Sequence, residues 1–290
     1  MKHSKTKIAL GLFIVLLISS CAVIHLTPSK KIGAIEFTED VANEKYNFIY
    51  QNSQNSPDLV KIKVLYRLDS IAGLGSSEFR RILNLLKWTN SRWEHSASNQ
   101  PTNSNTLTIL KEAETGENFR CVEYGIVLRS VLASNNLPAR TLGLKTKDVE
   151  VTRFGAGHVL TEVWSSEFNK WFMLDAQFNV VPVLDDIPLS AVEFQRAIVQ
   201  NKNYKLIDVD GTVSEDRKNS YMKFLPPYLY YFDFQFDQRE IPYDSLYKVN
   251  DKGFLMLIPV GAQKPAIFQR KFKMDFFEYT TNINDFYKKP

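Results

Sequence analysis

Cysteine is nearly absent from this chain: there are two in 290 residues, Cys21 and Cys121. So small a number excludes a disulfide framework and any thiolate-rich zinc site, since both need more sulfur. Charge of one sign is lacking too. The 36 basic and 32 acidic residues are intermixed and leave a formal net charge of +4. No basic footprint for phosphates stands out, so no nucleic-acid partner is expected. The longest apolar run, Ile8–Ile18, falls short of the ~18–20 residues that an ordinary spanning helix needs. There is no internal repeat, and no cofactor-binding or metal-binding motif is read. What is present is ample core material: 44% hydrophobic residues, with 20 Phe and 13 Tyr. Many of the aromatic residues come late in the chain, which favours β-structure there.

The first residues are organised as an export signal. Lys2, His3, Lys5 and Lys7 form a basic start, the apolar run follows, and the stretch ends Ile18-Ser19-Ser20-Cys21. This ending resembles the bacterial lipobox, which implies a signal peptide over 1–20, lipidation of Cys21 and attachment to the membrane through lipid rather than a spanning helix. The expected location is the bacterial cell envelope. With Cys21 used in this way, Cys121 is the only thiol of the mature protein, and a lone thiol in an exported protein is a candidate for reactivity.

Residues 21–60 are polar and loop-like, a tether and domain edge with room for one strand in 33–50. The pattern over 61–68 suggests a strand. Glu78–Trp93 has helical spacing, with Ser76 and Ser77 as caps, and Leu107–Ala113 suggests a second helix stopped by Gly116. Cys121 then opens a run whose apolar residues recur every three to four positions, as far as Asn135-Asn136-Leu137-Pro138. Three strands are expected after Arg140: 141–144, 158–164 and 170–175, with a turn over 165–169. A helical segment at 190–200, a turn-rich stretch at 208–220 and alternating runs at 231–237, 254–260 and 268–279 complete the chain. Helix followed by antiparallel strands is an α+β order. The division is a core over 61–184 and a β-rich C-terminal extension over 185–290.

Three residues in this layout carry chemistry. Cys121 sits at a helix N-terminus, where unpaired N–H groups and the helix dipole favour a thiolate. His158 opens a strand behind Gly155-Ala156-Gly157; His25 lies in the tether and His95 in a loop, so His158 is the credible base. Asp175 ends the apolar strand Trp171-Phe172-Met173-Leu174, where a carboxylate without a partner is costly. The Nδ1–H of His158 would meet that need. In a hairpin centred on 165–169, the stretches back to His158 and on to Asp175 are nearly equal, so the two fall side by side. Arg140 is expected in a structural ion pair, Glu162 solvated or paired, and Trp88 and Trp93 in the core.

These segments resemble the transglutaminase-like superfamily. Its pattern of cysteine at a helix start, a helix exit in G-[IL]-P-[AS]-R, a strand opening H-A-W-x-E-V and a W-x-x-x-D strand is matched by Cys121, by 136–140, by 158–163 and by 171–175. The resemblance covers 75–180 and implies a papain-like core with Cys121 as nucleophile, His158 as general base and Asp175 as its orienter. It implies acyl transfer on amides, by hydrolysis or transamidation, of a protein or peptide substrate such as a cell-wall peptide. The chain departs from the pattern at Asn118-Phe119-Arg120, where a glycine is usual, at Asn136 and at Val159-Leu160. The second reading is an inactive module of the same fold that binds peptide or glycan.

Overall fold

The computed structural model of the chain describes residues 32–73 and 75–290; the expected leader, 1–20, and Cys21 lie outside them. Helix α1 (Pro57–Leu65) stands where the sequence suggests a strand over 61–68. Proline at its first turn needs no N–H partner there. Leu59 and Ile62 are buried, whereas Val60, Val64 and Leu65 are exposed, so apolar residues on both faces hide the helical period. The strand expected in 33–50 is also absent: that segment is irregular, with a turn closed by Tyr46 N donating to Asn43 O and isolated bridges from Thr38 to Asn282 and from Ile49 to Asp237.

Next come α2 (Leu68–Ala72), α3 (Glu78–Asn90) and α4 (Thr106–Glu114). Ser77 Oγ accepts from Arg80 N at 3.2 Å and Asn105 Oδ1 from Thr108 N at 2.9 Å, so both longer helices carry side-chain caps. Helix α5 (Cys121–Ser134) begins at the cysteine itself. It ends through Asn136, whose φ of 60° is the left-handed conformation that a helix-ending glycine would otherwise supply.

Strands β1 (Ala139–Lys145), β2 (Gly157–Ser165) and β3 (Lys170–Leu174) follow as an antiparallel meander. A second sheet, in the order β5-β4-β6-β7, is built from β4 (Val181–Leu184), β5 (Ile187–Pro188), β6 (Lys205–Asp208) and β7 (Gly211–Thr212). Helix α6 (Ala191–Val199) interrupts it, and α7 (Glu215–Phe224) occupies the end of the stretch read as turn-rich, from 215 on. The late alternating runs become β8 (Tyr231–Gln235), β9 (Phe254–Leu257), the small hairpin β10 (Ile267–Phe268) and β11 (Phe272–Lys273), and β12 (Phe277–Thr280), before α8 (Ile283–Phe286).

Three of these late strands join the first sheet, whose order is β12-β9-β8-β1-β2-β3, all antiparallel except β12 with β9. The molecule is α+β, with antiparallel pairing dominant. Alternation along the strands gives the large sheet two buried faces. Ala139, Val163, Phe172 and Leu174 pack against α1–α5, while Leu142, Leu144, Leu160 and Met173 pack against α6, α7 and the smaller sheet.

Candidate active site

Helix α5 lies across the first face of the sheet because Gly125 lets it come close. A Cβ there would stand 2.9 Å from Val159 Cγ1 and 3.1 Å from Thr141 Cγ2. This approach fixes Cys121 at the end of β2. Glu123, fully buried in the first turn of α5, accepts from Arg120 N at 3.1 Å and pairs with the Arg120 guanidinium at 2.6 Å, so negative charge meets the positive end of the helix. The segment that breaks the family pattern is thus engaged structurally. Asn118 Oδ1 accepts from Glu94 N at 2.9 Å, and Phe119 is buried edge-on against Trp93.

The β2–β3 register pairs Thr161 with Leu174 and Ser165 with Lys170. Carried one pair further it sets Leu160 opposite Asp175, with His158 next on the same face. His158 Nε2 lies 2.8 Å from Asp175 Oδ2, and both residues are buried. The sequence leads one to expect Nδ1 in this contact. The structure uses Nε2 instead, with the ring reaching diagonally across the strand pair. Cys121 lines the same groove and lies near enough to the ring to act on its protonation.

Burial by itself disfavours a charged His158. The Asp175 carboxylate, through its charge and its hydrogen bond, and then the bond and charge of Cys121 outweigh that, and the imidazole is pushed up to about 10. At neutral pH the ring is an imidazolium held between a carboxylate and sulfur.

Asp175 is saturated. Oδ2 also accepts from the Tyr221 hydroxyl at 3.1 Å, and Oδ1 accepts from the backbone N–H of Gln177 at 3.1 Å and of Phe178 at 3.4 Å. Burial first, and then the charge of Asp175, raise Tyr221 well above its ordinary value, so it remains a donor. Phe224 stands edge-on to the His158 ring at 5.0 Å, with Tyr228 at 5.9 Å and Phe178 at 6.3 Å. Sequence reasoning missed Tyr221, Phe224 and Tyr228. They lie in α7 and the turn after it, and no local motif ties them to the site.

His95, set aside as a loop residue, is nearer than expected. Its backbone bridges to Phe119, two residues before Cys121, and Ser96 N donates to Phe119 O at 2.8 Å. Its imidazole is pushed down by burial and then by the charge of His158, with Asp175 opposing. Trp93 packs in the core against Tyr124 at 4.5 Å, and Trp88 is half-buried beneath the Arg92 guanidinium. Arg140 forms the expected structural pair with Glu162, at 2.6 Å and wholly buried, so Glu162 is paired rather than solvated.

Cys121 and His158 open on a groove of about 360 Å³ floored by β1, β2 and β8 and walled by Phe254 and Phe268. A thiol, an imidazole paired with a buried carboxylate and an adjoining cavity are the groups that covalent acyl chemistry requires.

The sequence matches no protein-family model and no curated protein. Two solved structures are similar in part. One is a putative cysteine protease from Cytophaga hutchinsonii, with 14% identity and a TM-score of 0.34, covering 42% of this chain and 39% of that one. The other is the ethylmercury-bound periplasmic domain of TgpA from Pseudomonas aeruginosa, with 14% identity and a TM-score of 0.32, covering 47% of this chain and 48% of that one. The chain therefore spans less than half the length of either structure that it resembles.

Proposed function

We propose that the protein is an exported cysteine enzyme that transfers acyl groups from amide bonds of peptides in the cell envelope. One observation carries the reading: His158 is hydrogen-bonded to the buried Asp175, and it lines one groove together with Cys121. Cys121 Sγ attacks the amide carbonyl carbon, forming the C–S bond and placing negative charge on the oxygen. The N–H of Cys121, at the start of α5, is a natural donor to that oxygen. As the C–N bond breaks, the His158 imidazolium gives its proton to the departing amine and a thioester remains. Water or a second amine, deprotonated by the now neutral imidazole, then attacks the thioester. This restores the Cys121–His158 pair and releases an acid or a new amide.

Envelope attachment through Cys21 belongs to the same proposal and rests on the amino-terminal sequence alone. Palmitate incorporation that persists in the wild type and disappears in Cys21→Ser is the expected result; a lipid-free secreted product refutes the anchor.

The enzymatic part is tested with Cys121→Ala and His158→Ala on a panel of envelope peptides. Turnover is expected to fall by about 10³-fold or more in each, since groups that act as a unit fail together. Turnover that survives Cys121→Ala, while the thiol-probe label is lost, sinks the reading. Peptide binding with no turnover in the wild type turns it to the non-catalytic module.

A further inference from the structure

The groove that begins at Cys121 holds a second polar feature, which the proposed chemistry leaves unused. Lys145 on β1 and Asp233 on β8 pair with each other at its floor, and both are buried. They belong to the α5 face of the sheet, because Gly143 and Lys145 alternate with the inward Leu142 and Leu144 of the opposite core. Lys145 Nζ donates to Asp233 Oδ2 and lies 5.2 Å from the Phe277 ring centroid. No other hydrogen bond is made by that ammonium, and none reaches Asp233 Oδ1, among the described residues. Phe254 and Phe268 line this part of the groove, and it continues into a second hollow of about 270 Å³ toward Phe272 and Phe276.

Gly143 keeps the carboxylate accessible. A Cβ at that position would stand 2.8 Å from Asp233 Oδ1 and fill the space beside it. Gly157 does the same for Phe268, whose ring would lie 3.1 Å from an added Cβ. The register pairs Gly143 with both Val159 and Asp233, so Asp233 is two strands from the residue after His158, roughly 10 Å at ordinary strand spacing. Cys121 lines the same groove as Asp233, so an arm anchored on the sulfur and a few bonded residues long can reach along it.

The pair as a whole is neutral and stands in apolar surroundings, yet it presents one free acceptor and spare donors. A charged ligand group would leave net charge uncompensated there, and a purely apolar one would leave the acceptor and donors unmet. An uncharged group that both donates and accepts satisfies both requirements. We propose that the Lys145–Asp233 pair is a specificity subsite that holds an uncharged amide of the acyl donor, a neighbouring peptide bond carried on an apolar residue, and rejects acyl donors that place a charge there. The proposal rests on the reading of Cys121 as a reactive nucleophile at the head of this groove.

The test uses iodoacetyl compounds that deliver an arm into the groove, read by mass spectrometry of Cys121. Alkylation forms the Sγ–C bond, breaks the C–I bond and releases iodide, so it needs no turnover. Arms of two lengths end in a carboxamide, a carboxylate or an ammonium, and plain iodoacetamide is the armless reference. In the wild type, labelling by the carboxamide arm should saturate and exceed both charged arms by tenfold or more in second-order rate. Asp233→Asn should move the preference to the carboxylate arm, and Lys145→Gln should move it to the ammonium arm. An unchanged rate with plain iodoacetamide certifies that each variant keeps its fold around Cys121. If either variant fails that control, Phe268→Ala, at the groove wall, should reduce the carboxamide-arm rate without changing the charge preference. Equal rates for the three arms in the wild type overturn the subsite and leave the nucleophile standing. A Cys121 that resists plain iodoacetamide in the native protein, yet reacts when unfolded, overturns both.

Discussion

Asp175 has no surface in water, so its charge is met entirely by the groups around it. Four donors do this, and Tyr221 is the one that a single atom can remove. Tyr221→Phe keeps the packing against Phe178 at 5.1 Å and deletes only the hydroxyl. A hydrogen bond to a buried charged group is worth about 1.5–3 kcal/mol, and urea unfolding should show a loss of that order. A change under half a kcal/mol would mean that the hydroxyl does not serve Asp175.

His158 supplies a pH signature. Its value in the folded protein is about 10, above the ordinary 6.5, so folding favours the protonated ring. The stability gained is fully present below about pH 6.5 and is lost as the pH rises through about 10. The melting-temperature gap between wild type and His158→Gln should therefore be widest near pH 6 and shrink steadily toward pH 10. A gap that stays constant over that range contradicts the imidazolium. At this scale the sequence was informative about Cys121, His158 and Asp175, because each sits beside a local marker: a helix start, a glycine pair, a strand end. It was silent on Tyr221, whose contact spans 46 positions, and it pointed to Nδ1 where Nε2 meets Asp175, since the ring's orientation is not written in the local sequence.

The contact between α5 and β2 decides where the sulfur stands. Gly125 in mid-helix costs about 0.8–1.0 kcal/mol of propensity relative to alanine, so its presence calls for a packing reason. The stiff Val159 side chain gives it one, and so does the Leu160 carbonyl oxygen, 3.3 Å from the point that an added methyl would occupy. Gly125→Ala should gain the propensity and lose about 1–3 kcal/mol to crowding, for a net destabilisation with α5 displaced from the sheet. Slower alkylation of Cys121 would report the displacement; a more stable variant with unchanged alkylation would refute it. Helices α3, α4 and α5 were readable from their caps and period. Helix α1 was not, because its exposed face carries Val60, Val64 and Leu65. The pairing of β1 with β8 was beyond reach as well: the late aromatic runs announce strands, but nothing local says which sheet they enter.

At the scale of the whole molecule, Arg140 ties the early core to the chain's last residues. Its guanidinium is fully buried among Trp171, Phe234, Phe286 and Tyr287 at 4.0–5.0 Å from their ring centroids. Glu162 balances it, and the Phe286 carbonyl accepts from Nη1 at 2.7 Å. Glu162→Ala leaves this cation buried and uncompensated. The expected loss is about 3–5 kcal/mol, seen as a large fall in the unfolding midpoint together with protease cleavage in the 283–290 segment. A loss below one kcal/mol, with that segment still protected, would show that the rings alone hold the arginine.

The way the large sheet is threaded also sets an order of events in time. The His158–Asp175 contact spans 17 positions, Tyr221 reaches Asp175 across 46, and Lys145 meets Asp233 across 88. Short loops close before long ones, so Cys121, His158 and Asp175 would come together from one contiguous helix and hairpin before the groove walls are placed. Folding in that order would pass through a stage in which the thiol is in place but unshielded. During that interval small oxidants and stray electrophiles would compete for it with no specificity to exclude them, and the arrival of β8 and the late hairpin would end the competition.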